Sequence, residues 1–132
     1  MLDTNICIHL IQKHHDQVID RFQQLQQGDV VMSAITYAEL RYGVERCDAA
    51  VRKIADRALR SLIEDIPVLP FDAESADAYG VLRAAVRDRK RDALDRLIAS
   101  HAVSQALVLV TNNEADFKSY PGLAVENWVA GG

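Results

Sequence analysis

Along the chain, long stretches in which apolar residues have helical spacing alternate with short runs of apolar residues. Apolar residues that recur every three or four positions predict amphipathic helices. Gly28 and Asp29 predict a turn after the first helix, and a charged stretch interrupts the helical pattern near residues 87–93. The predicted helices cover residues 6–27, 34–46, 48–64 and the region from Asp72 onward, which resumes after the interruption as LDRLIASHAVSQA.

The short apolar runs between these helices predict strands. They are a very short opening segment, VVMS, IPVLPF and LVLVT. Pro67 and Pro70 restrict IPVLPF to a short or edge strand, because proline cannot donate to a sheet. LVLVT is apolar throughout, as expected for a strand covered on both faces. Helices between strands imply parallel pairing with right-handed crossovers, so the pattern predicts a layered α/β domain.

Composition narrows the class of protein. The chain has 132 residues, a mass of 14.7 kDa and 49% hydrophobic residues, which suits a single domain over residues 1–132 with its own core. Cys7 and Cys47 form no disulfide framework and no Cys-x-x-Cys motif, which favours a reducing compartment. The sequence shows neither a signal peptide nor an apolar run long enough to span a membrane, so we expect a soluble cytoplasmic protein.

Charge is unevenly distributed. The net charge of −4 argues mildly against nucleic-acid binding by the molecule as a whole. Basic residues nevertheless cluster around the interrupted helical region, where they form either a solvated helix end or a contact surface for phosphates. They are Arg83, Arg87, Arg89, Lys90, Arg91 and Arg96.

Four acidic residues from distant parts of the chain map to the carboxyl ends of the predicted strands. Ligand sites of parallel α/β sheets lie at this edge. Each acid also has a local alternative: a helix N-cap for the first, a capping box with Thr36 for the second, a first-turn acid for the third and a turn residue for the fourth. In chain order they are Asp3, Glu39, Asp95 and Asp116.

Helical geometry supports Asp95 over the neighbouring Asp92. At about 100° per residue, the predicted buried stripe contains Leu94, Leu97, Ile98 and His101, while Asp92 falls on the far face. Asp95 borders this stripe beside the small residues Ala99 and Ala102, which we expect to leave room for a ligand. The histidines show no paired ligand spacing and are predicted to have no metal role; they are His9, His14, His15 and His101.

A converging group of carboxylates calls for a cation, since like charges at close range push at least one acid toward its neutral form. Oxygen ligands without Cys or His favour Mg²⁺, with Mn²⁺ as an alternative. Such an ion can lower the pKa of a bound water and neutralise charge during phosphodiester cleavage. The four acids therefore predict a metal-dependent nuclease.

The ordered motifs MLDTNICI, SAITYAELRYGVER, DRLIASHAVSQALVLVTNNEADF and PGLAVENW resemble those of the PIN-domain superfamily, and together those of the VapC-type toxins of bacterial toxin–antitoxin pairs. The resemblance implies a Rossmann-like three-layer α/β sandwich with a short, mostly parallel sheet between helices. It implies a Mg²⁺-dependent endoribonuclease that uses the four acids to cut a structured RNA such as a tRNA or rRNA loop. It also assigns supporting roles in the pocket to Asn5, Thr111 and Asn112.

The resemblance further implies partners. We expect a cognate VapB-type antitoxin whose apolar segment packs near Ile8, Leu10 and Tyr42 and whose basic tail reaches the carboxylates. We also expect the toxin to form a homodimer within a larger complex that binds operator DNA through the antitoxin. The alternatives are a housekeeping PIN nuclease in RNA processing or decay, and a degenerate PIN module without activity. A haloacid-dehalogenase-type phosphatase would need an acid at the position of Asn5.

Overall fold

The structure is a computed structural model that describes residues 1–86 and 93–129. Seven helices and four two-residue strands follow one another in these ranges. The helices are α1 (Thr4–Gln12), α2 (Asp16–Gln23), α3 (Ala34–Glu45), α4 (Ala49–Asp65), α5 (Ala73–Ala85), α6 (Ala93–Ser104) and α7 (Glu114–Phe117). The strands are β1 (Met32–Ser33), β2 (Val68–Leu69), β3 (Leu109–Val110) and β4 (Val125–Glu126).

Most of the predicted helices are confirmed, but the single helix expected over residues 6–27 is wrong. The chain forms α1 and α2 instead, because Lys13 and His15 have positive φ angles of 56° and 60°. A left-handed residue cannot continue a right-handed helix, and Lys13 caps the end of α1 in this conformation. Neither β4 nor α7 was among the predicted elements.

A parallel sheet of four short strands, joined through the single residue Leu2, forms the middle of the molecule. β1 pairs with β2, and β3 pairs with β4. Leu2 joins the two pairs through parallel bridges to Met32 and Val110, which gives the order β2-β1-Leu2-β3-β4. The opening strand is thus reduced to one paired residue, and β2 lies at an edge as the prolines predicted.

Successive sheet residues point to opposite faces and enter two separate cores. Leu2 and Val110 belong to a core with residues of α1, α2, α3 and α4. Their neighbours Met1 and Leu109 belong to a second core with residues of α5, α6 and α7. This alternation has the period of two expected for strands, and it produces helix, sheet and helix layers as predicted.

The first residues of the chain lead directly from the sheet into a helix. The Leu2 and Asp3 amides donate to the carbonyls of Val31 and Val110, at 2.9 and 3.0 Å. α1 begins at the next residue, so Asp3 lies at the carboxyl edge of the sheet. Cys7 and Cys47 are free thiols. None of the helices in the described ranges is long and apolar enough to cross a membrane.

Candidate active site

Asp3 is a buried carboxylate at the centre of the sheet edge, with only 4% of its surface exposed. It caps α1, since its Oδ1 accepts a hydrogen bond from the Ile6 amide at 2.9 Å. Burial raises the pKa of Asp3, and the nearby charge of Glu39 adds to this effect. Hydrogen bonds from the Thr111 side chain and from backbone amides oppose the rise. The capping alternative is therefore correct, and it coexists with a position beside a second acid.

Glu39 lies half-buried on α3, where it faces α1. Its Oε1 accepts a hydrogen bond from the Thr4 hydroxyl at 2.8 Å. The capping box between Thr36 and Glu39 is wrong, because α3 begins earlier and has Ser33 as its N-cap, with the Ser33 Oγ accepting from the Ile35 amide at 3.0 Å. Glu39 therefore has no capping role, and its carboxylate lies near Asp3 instead.

Asp95 lies half-buried in the first turn of α6, as predicted. The predicted buried stripe of α6, and the open space expected beside Asp95, are partly wrong. Leu94 is 46% exposed, and Ala99 and Ala102 are fully buried in the second core, where they leave no room for a ligand. Leu94 instead borders the same groove as Glu39. Asp92 lies outside the described residues.

Asp116 is exposed in the short helix α7, rather than in a turn. Of the predicted supporting residues, Thr111 contributes a side-chain hydrogen bond to Asp3 and Asn5 a backbone one. Thr111 is fully buried, and its hydroxyl oxygen also accepts a hydrogen bond from the Asn113 amide at 3.0 Å. The Asn112 amide nitrogen lies 3.5 Å from His9 Nε2, and Asn5 is exposed.

Asp3, Glu39, Thr4 and Thr111 thus form one polar group where α1, α3 and β3 meet. Within residues 1–86 and 93–129, no three His, Cys, Asp or Glu side chains are arranged to hold a metal ion. The chemistry of the donors nevertheless fits a hard divalent cation, because a buried carboxylate beside a second carboxylate is unfavourable unless a cation lies close to both.

Sequence reasoning did not assign a place in the site to two hydroxyl residues, Thr4 of this group and Thr36 beside it. Thr4 Oγ1 contacts Glu39 and lies 3.2 Å from the hydroxyl oxygen of Thr36, which is fully buried on α3. The sequence carries one signal for Thr4, its position directly after Asp3. Nothing in the periodicity of α3 indicates that Thr36 contacts α1.

Two residues of the predicted basic cluster, Arg83 and Arg96, lie in the described part of the chain. Arg83 is exposed on α5 and donates to the Tyr79 hydroxyl at 3.0 Å. Arg96 is 6% exposed, which contradicts its expected place on a solvated basic surface. The four other residues of the cluster lie outside the described part of the chain: Arg87, Arg89, Lys90 and Arg91.

A largely apolar groove of about 800 Å³ lies beside the acids. Its lining includes Thr4 and Glu39, so the groove and the polar group share residues. Tyr42 is 65% exposed there. Leu10, expected on the same surface, packs against the first core instead. The apolar residues of the lining include Ile8, Ile11, Ile35, Leu40, Tyr42, Leu59 and Leu94.

A short parallel sheet between helices, with acids at its carboxyl edge, defines a class of nuclease. The sequence profile of the PIN domain matches residues 1–123. The chain therefore belongs to the PIN domain family.

Individual relatives narrow this assignment to the VapC ribonucleases. The chain is 38% identical over 130 residues to the tRNA(fMet)-specific endonuclease VapC of Shigella flexneri, covering 97% of this chain and 96% of the relative. It superposes with a TM-score of 0.87 on a chain of VapBC2 from Rickettsia felis bound to a DNA fragment from its promoter, at 34% identity and 97% coverage of both chains. DNA-bound VapBC from Salmonella typhimurium also gives a TM-score of 0.87, at 35% identity, with 97% of this chain and 96% of that chain covered.

Proposed function

We propose that this chain is the ribonuclease toxin of a VapBC-type toxin–antitoxin pair and acts in the cytoplasm as a Mg²⁺-dependent endoribonuclease, with Mn²⁺ as an alternative ion. The names of its relatives support both the activity and the pairing with an antitoxin. The proposed substrate is a structured RNA. tRNA(fMet) is the first candidate, because the Shigella flexneri relative is named for it.

One observation carries the catalytic part of the proposal: a buried carboxylate, Asp3, lies at the sheet edge within the electrostatic influence of Glu39. Burying a charge beside a like charge is unfavourable, and a bound divalent cation would offset the repulsion between the two carboxylates. Bound by Asp3 and Glu39, with contributions from Asp95 and Asp116, such an ion would supply a water of lowered pKa and neutralise charge on the phosphate.

The chain's own residues hold these acids in place. The Ile6 amide and the Thr111 side chain fix the Asp3 carboxylate through hydrogen bonds. The Asp3 amide is bonded to Val110, so the backbone of this residue belongs to the sheet. Carboxylates on a rigid sheet edge would bind a cation with little loss of conformational entropy. This favours a defined position of the scissile phosphate. Arg83 is proposed to contact the RNA backbone, together with the basic residues that follow α5.

The groove is proposed to bind the antitoxin. Its apolar lining suits the apolar face of an antitoxin helix. Thr4 and Glu39 belong both to the groove and to the polar group, so the antitoxin residues that follow such a helix would lie close to the acids. An arginine there can bridge two carboxylates and stays charged at physiological pH. A homodimer of the toxin within a DNA-binding complex completes the proposal, in keeping with the DNA-bound VapBC structures of the relatives.

Regulated expression in bacteria, followed by mapping of RNA 5′ ends, tests the activity. We expect growth arrest and new 5′ ends at one site in one class of structured RNA, with neither effect in an Asp3→Asn variant. Co-expression of the small open reading frame next to the gene should suppress both effects and yield a copurifying complex. Cleavage without growth arrest, and without a neutralising neighbour, would favour a housekeeping nuclease. Absence of any cleavage with Mg²⁺ and Mn²⁺ would favour a degenerate module.

A further inference from the structure

The structure assigns to Thr4 the role of a positioning residue that holds the Glu39 side chain at the acidic site. The inference rests on the proposed metal-dependent activity. It starts from the meeting point of α1 and α3, where Thr4 Oγ1 lies 2.8 Å from Glu39 Oε1 and 3.2 Å from Thr36 Oγ1. A side-chain hydroxyl from one helix thus contacts two polar side chains of the other.

The protons in this group can be assigned from the chemistry of the donors. A carboxylate only accepts hydrogen bonds, so the contact at 2.8 Å requires the single Thr4 proton. The Thr4 oxygen then remains free to accept from the Thr36 hydroxyl across 3.2 Å. The direction of the chain is therefore from Thr36 to Thr4 to Glu39, and it ends on a charged acceptor, which gives the stronger kind of hydrogen bond.

Glu39 needs such an anchor because of its neighbour. Thr4 directly follows Asp3 in the chain, so its hydrogen bond to Glu39 brings a second carboxylate to the same sheet edge. Glutamate has three rotatable side-chain bonds, and repulsion from Asp3 favours rotamers that turn its carboxylate away into the adjoining groove. The Thr4 hydrogen bond opposes this rotation and keeps Glu39 on the same side as Asp3.

A neutral hydroxyl suits this purpose better than a basic side chain. A lysine or arginine at residue 4 would hold Glu39 more strongly, but its positive charge would occupy the place of a cation. Threonine is also restricted about its first side-chain bond, so its hydroxyl is held with little loss of entropy. The buried Thr36 hydroxyl further fixes the Thr4 oxygen from the side of α3.

The test compares Thr4→Val, which keeps the shape and removes the hydroxyl, with Thr4→Ser, which keeps the hydroxyl. Titration of the purified metal-free protein with Mn²⁺, followed by calorimetry, measures affinity independently of RNA cleavage. Groups that orient metal ligands typically contribute about 10–100-fold to affinity or activity. We therefore expect Thr4→Val to weaken Mn²⁺ binding by at least ~10-fold and to slow cleavage at saturating RNA, with an unchanged KM for RNA. Thr4→Ser should restore most of both.

A double-mutant cycle separates positioning from a general effect on the fold. In a Glu39→Ala background the hydroxyl has no carboxylate to hold, so Thr4→Val should cause no further loss of Mn²⁺ affinity. Additive losses would overturn the positioning role, as would wild-type Mn²⁺ affinity in a folded Thr4→Val variant. A wild-type chain that binds no Mn²⁺ would instead overturn the proposed function, and the positioning role with it.

Discussion

The Nδ1 atom of His101 lies 2.7 Å from the hydroxyl oxygen of Ser33. This contact ties a fully buried imidazole on α6 to the residue that caps α3. Asp95 lies on the first of these helices and Glu39 on the second. The Ser33–His101 contact is therefore a side-chain link between the two helices that carry these acids.

The His101 side chain makes stability depend on pH. Burial lowers the pKa of His101, while the charge of Asp72 and the nearby Pro70 carbonyl partly oppose this effect. An unfolded chain takes up the proton near a pKa of about 6.5, where the folded chain still resists it. The unfolded state thus binds more protons, and the free energy of unfolding should fall as the pH falls below about 6.5, until the folded pKa is reached.

Urea unfolding at several pH values between 7.5 and 5 measures this dependence, with His101→Gln as the variant and the exposed His14→Gln as the control. His101→Gln should be less stable than the wild type at neutral pH but should lose less stability on acidification. Burial also lowers the pKa of His9, so part of the slope remains in the variant. An identical slope in His101→Gln and wild type would contradict the prediction.

Replacing Asp3 with Asn should stabilise the metal-free protein while abolishing cleavage. The folded pKa of Asp3 is raised, so its contribution to stability is complete at low pH and is lost as the pH rises through that pKa. Asn is uncharged, and its side-chain oxygen can still accept from the Ile6 amide. At pH 7 without divalent ions, Asp3→Asn should therefore melt several degrees above the wild type.

Asp3→Ala is the matched control, because it removes the charge and also the cap, which is worth about 1 kcal/mol. It should be less stable than Asp3→Asn. Added Mg²⁺ or Mn²⁺ should raise the melting temperature of the wild type alone, since only a native-state ligand stabilises. RNA cleavage should fall more than ~100-fold in both variants, beyond the typical effect of removing a group that only orients a ligand. A metal-free Asp3→Asn protein that melts below the wild type would argue against a destabilising carboxylate.

Replacing Glu39 with Gln should reduce activity without affecting folding. Glu39 does not cap α3, so the substitution costs no cap, and the Gln oxygen can still accept from Thr4. The lost charge should weaken metal binding and slow cleavage by about 10-fold or more. Glu45→Gln on the same helix removes an exposed charge paired with Arg41 and should leave cleavage unchanged. Full activity of Glu39→Gln, measured at limiting Mg²⁺, would exclude this carboxylate from the site.

Two helical glycines offer a matched test of the groove. Neither Gly43 on α3 nor Gly80 on α5 has a neighbour within 4 Å of an added Cβ atom, but only Gly43 lines the groove. Alanine at either residue should raise the free energy of unfolding by about 0.5–1 kcal/mol. Gly43→Ala alone should weaken antitoxin binding, by about 10-fold or more, because the new methyl group occupies space needed for close helix packing. Equal antitoxin affinity of the two variants would place the antitoxin elsewhere.

Much of the fold could be predicted because its signals are local. Pro67 and Pro70 correctly predicted the edge strand β2, and helical spacing predicted α3. The break between α1 and α2 could not be predicted in the same way, because Lys13 and His15 adopt positive φ angles without glycine or proline nearby. β4 extends over only two residues and is defined by its pairing with β3, so periodicity carries too little information to reveal it.

In the candidate site, too, only the features with a local sequence signal could be predicted. Asp3 follows the first apolar residues and could be recognised from its position in the chain. The packing around Asp95 could not, because a helical wheel does not tell which side of α6 faces another layer. Ala99 and Ala102 therefore lie in a core where open space was expected, and Arg96 is buried where an exposed cation was expected. The contact between Thr4 and Thr36 depends on how α1 meets α3, which only the tertiary structure provides.

The central position of Leu2 in the sheet has a consequence for the order in which the protein folds. Leu2 pairs with Met32 and with Val110, and the Asp3 amide donates to the Val110 carbonyl. The sheet edge that carries Asp3 is therefore completed by a residue far along the chain. Contacts across such long sequence separations form late, because they must overcome a large loop-closure entropy. The site around Asp3 is therefore expected to form late in folding, once Val110 has paired with Leu2 in the sheet.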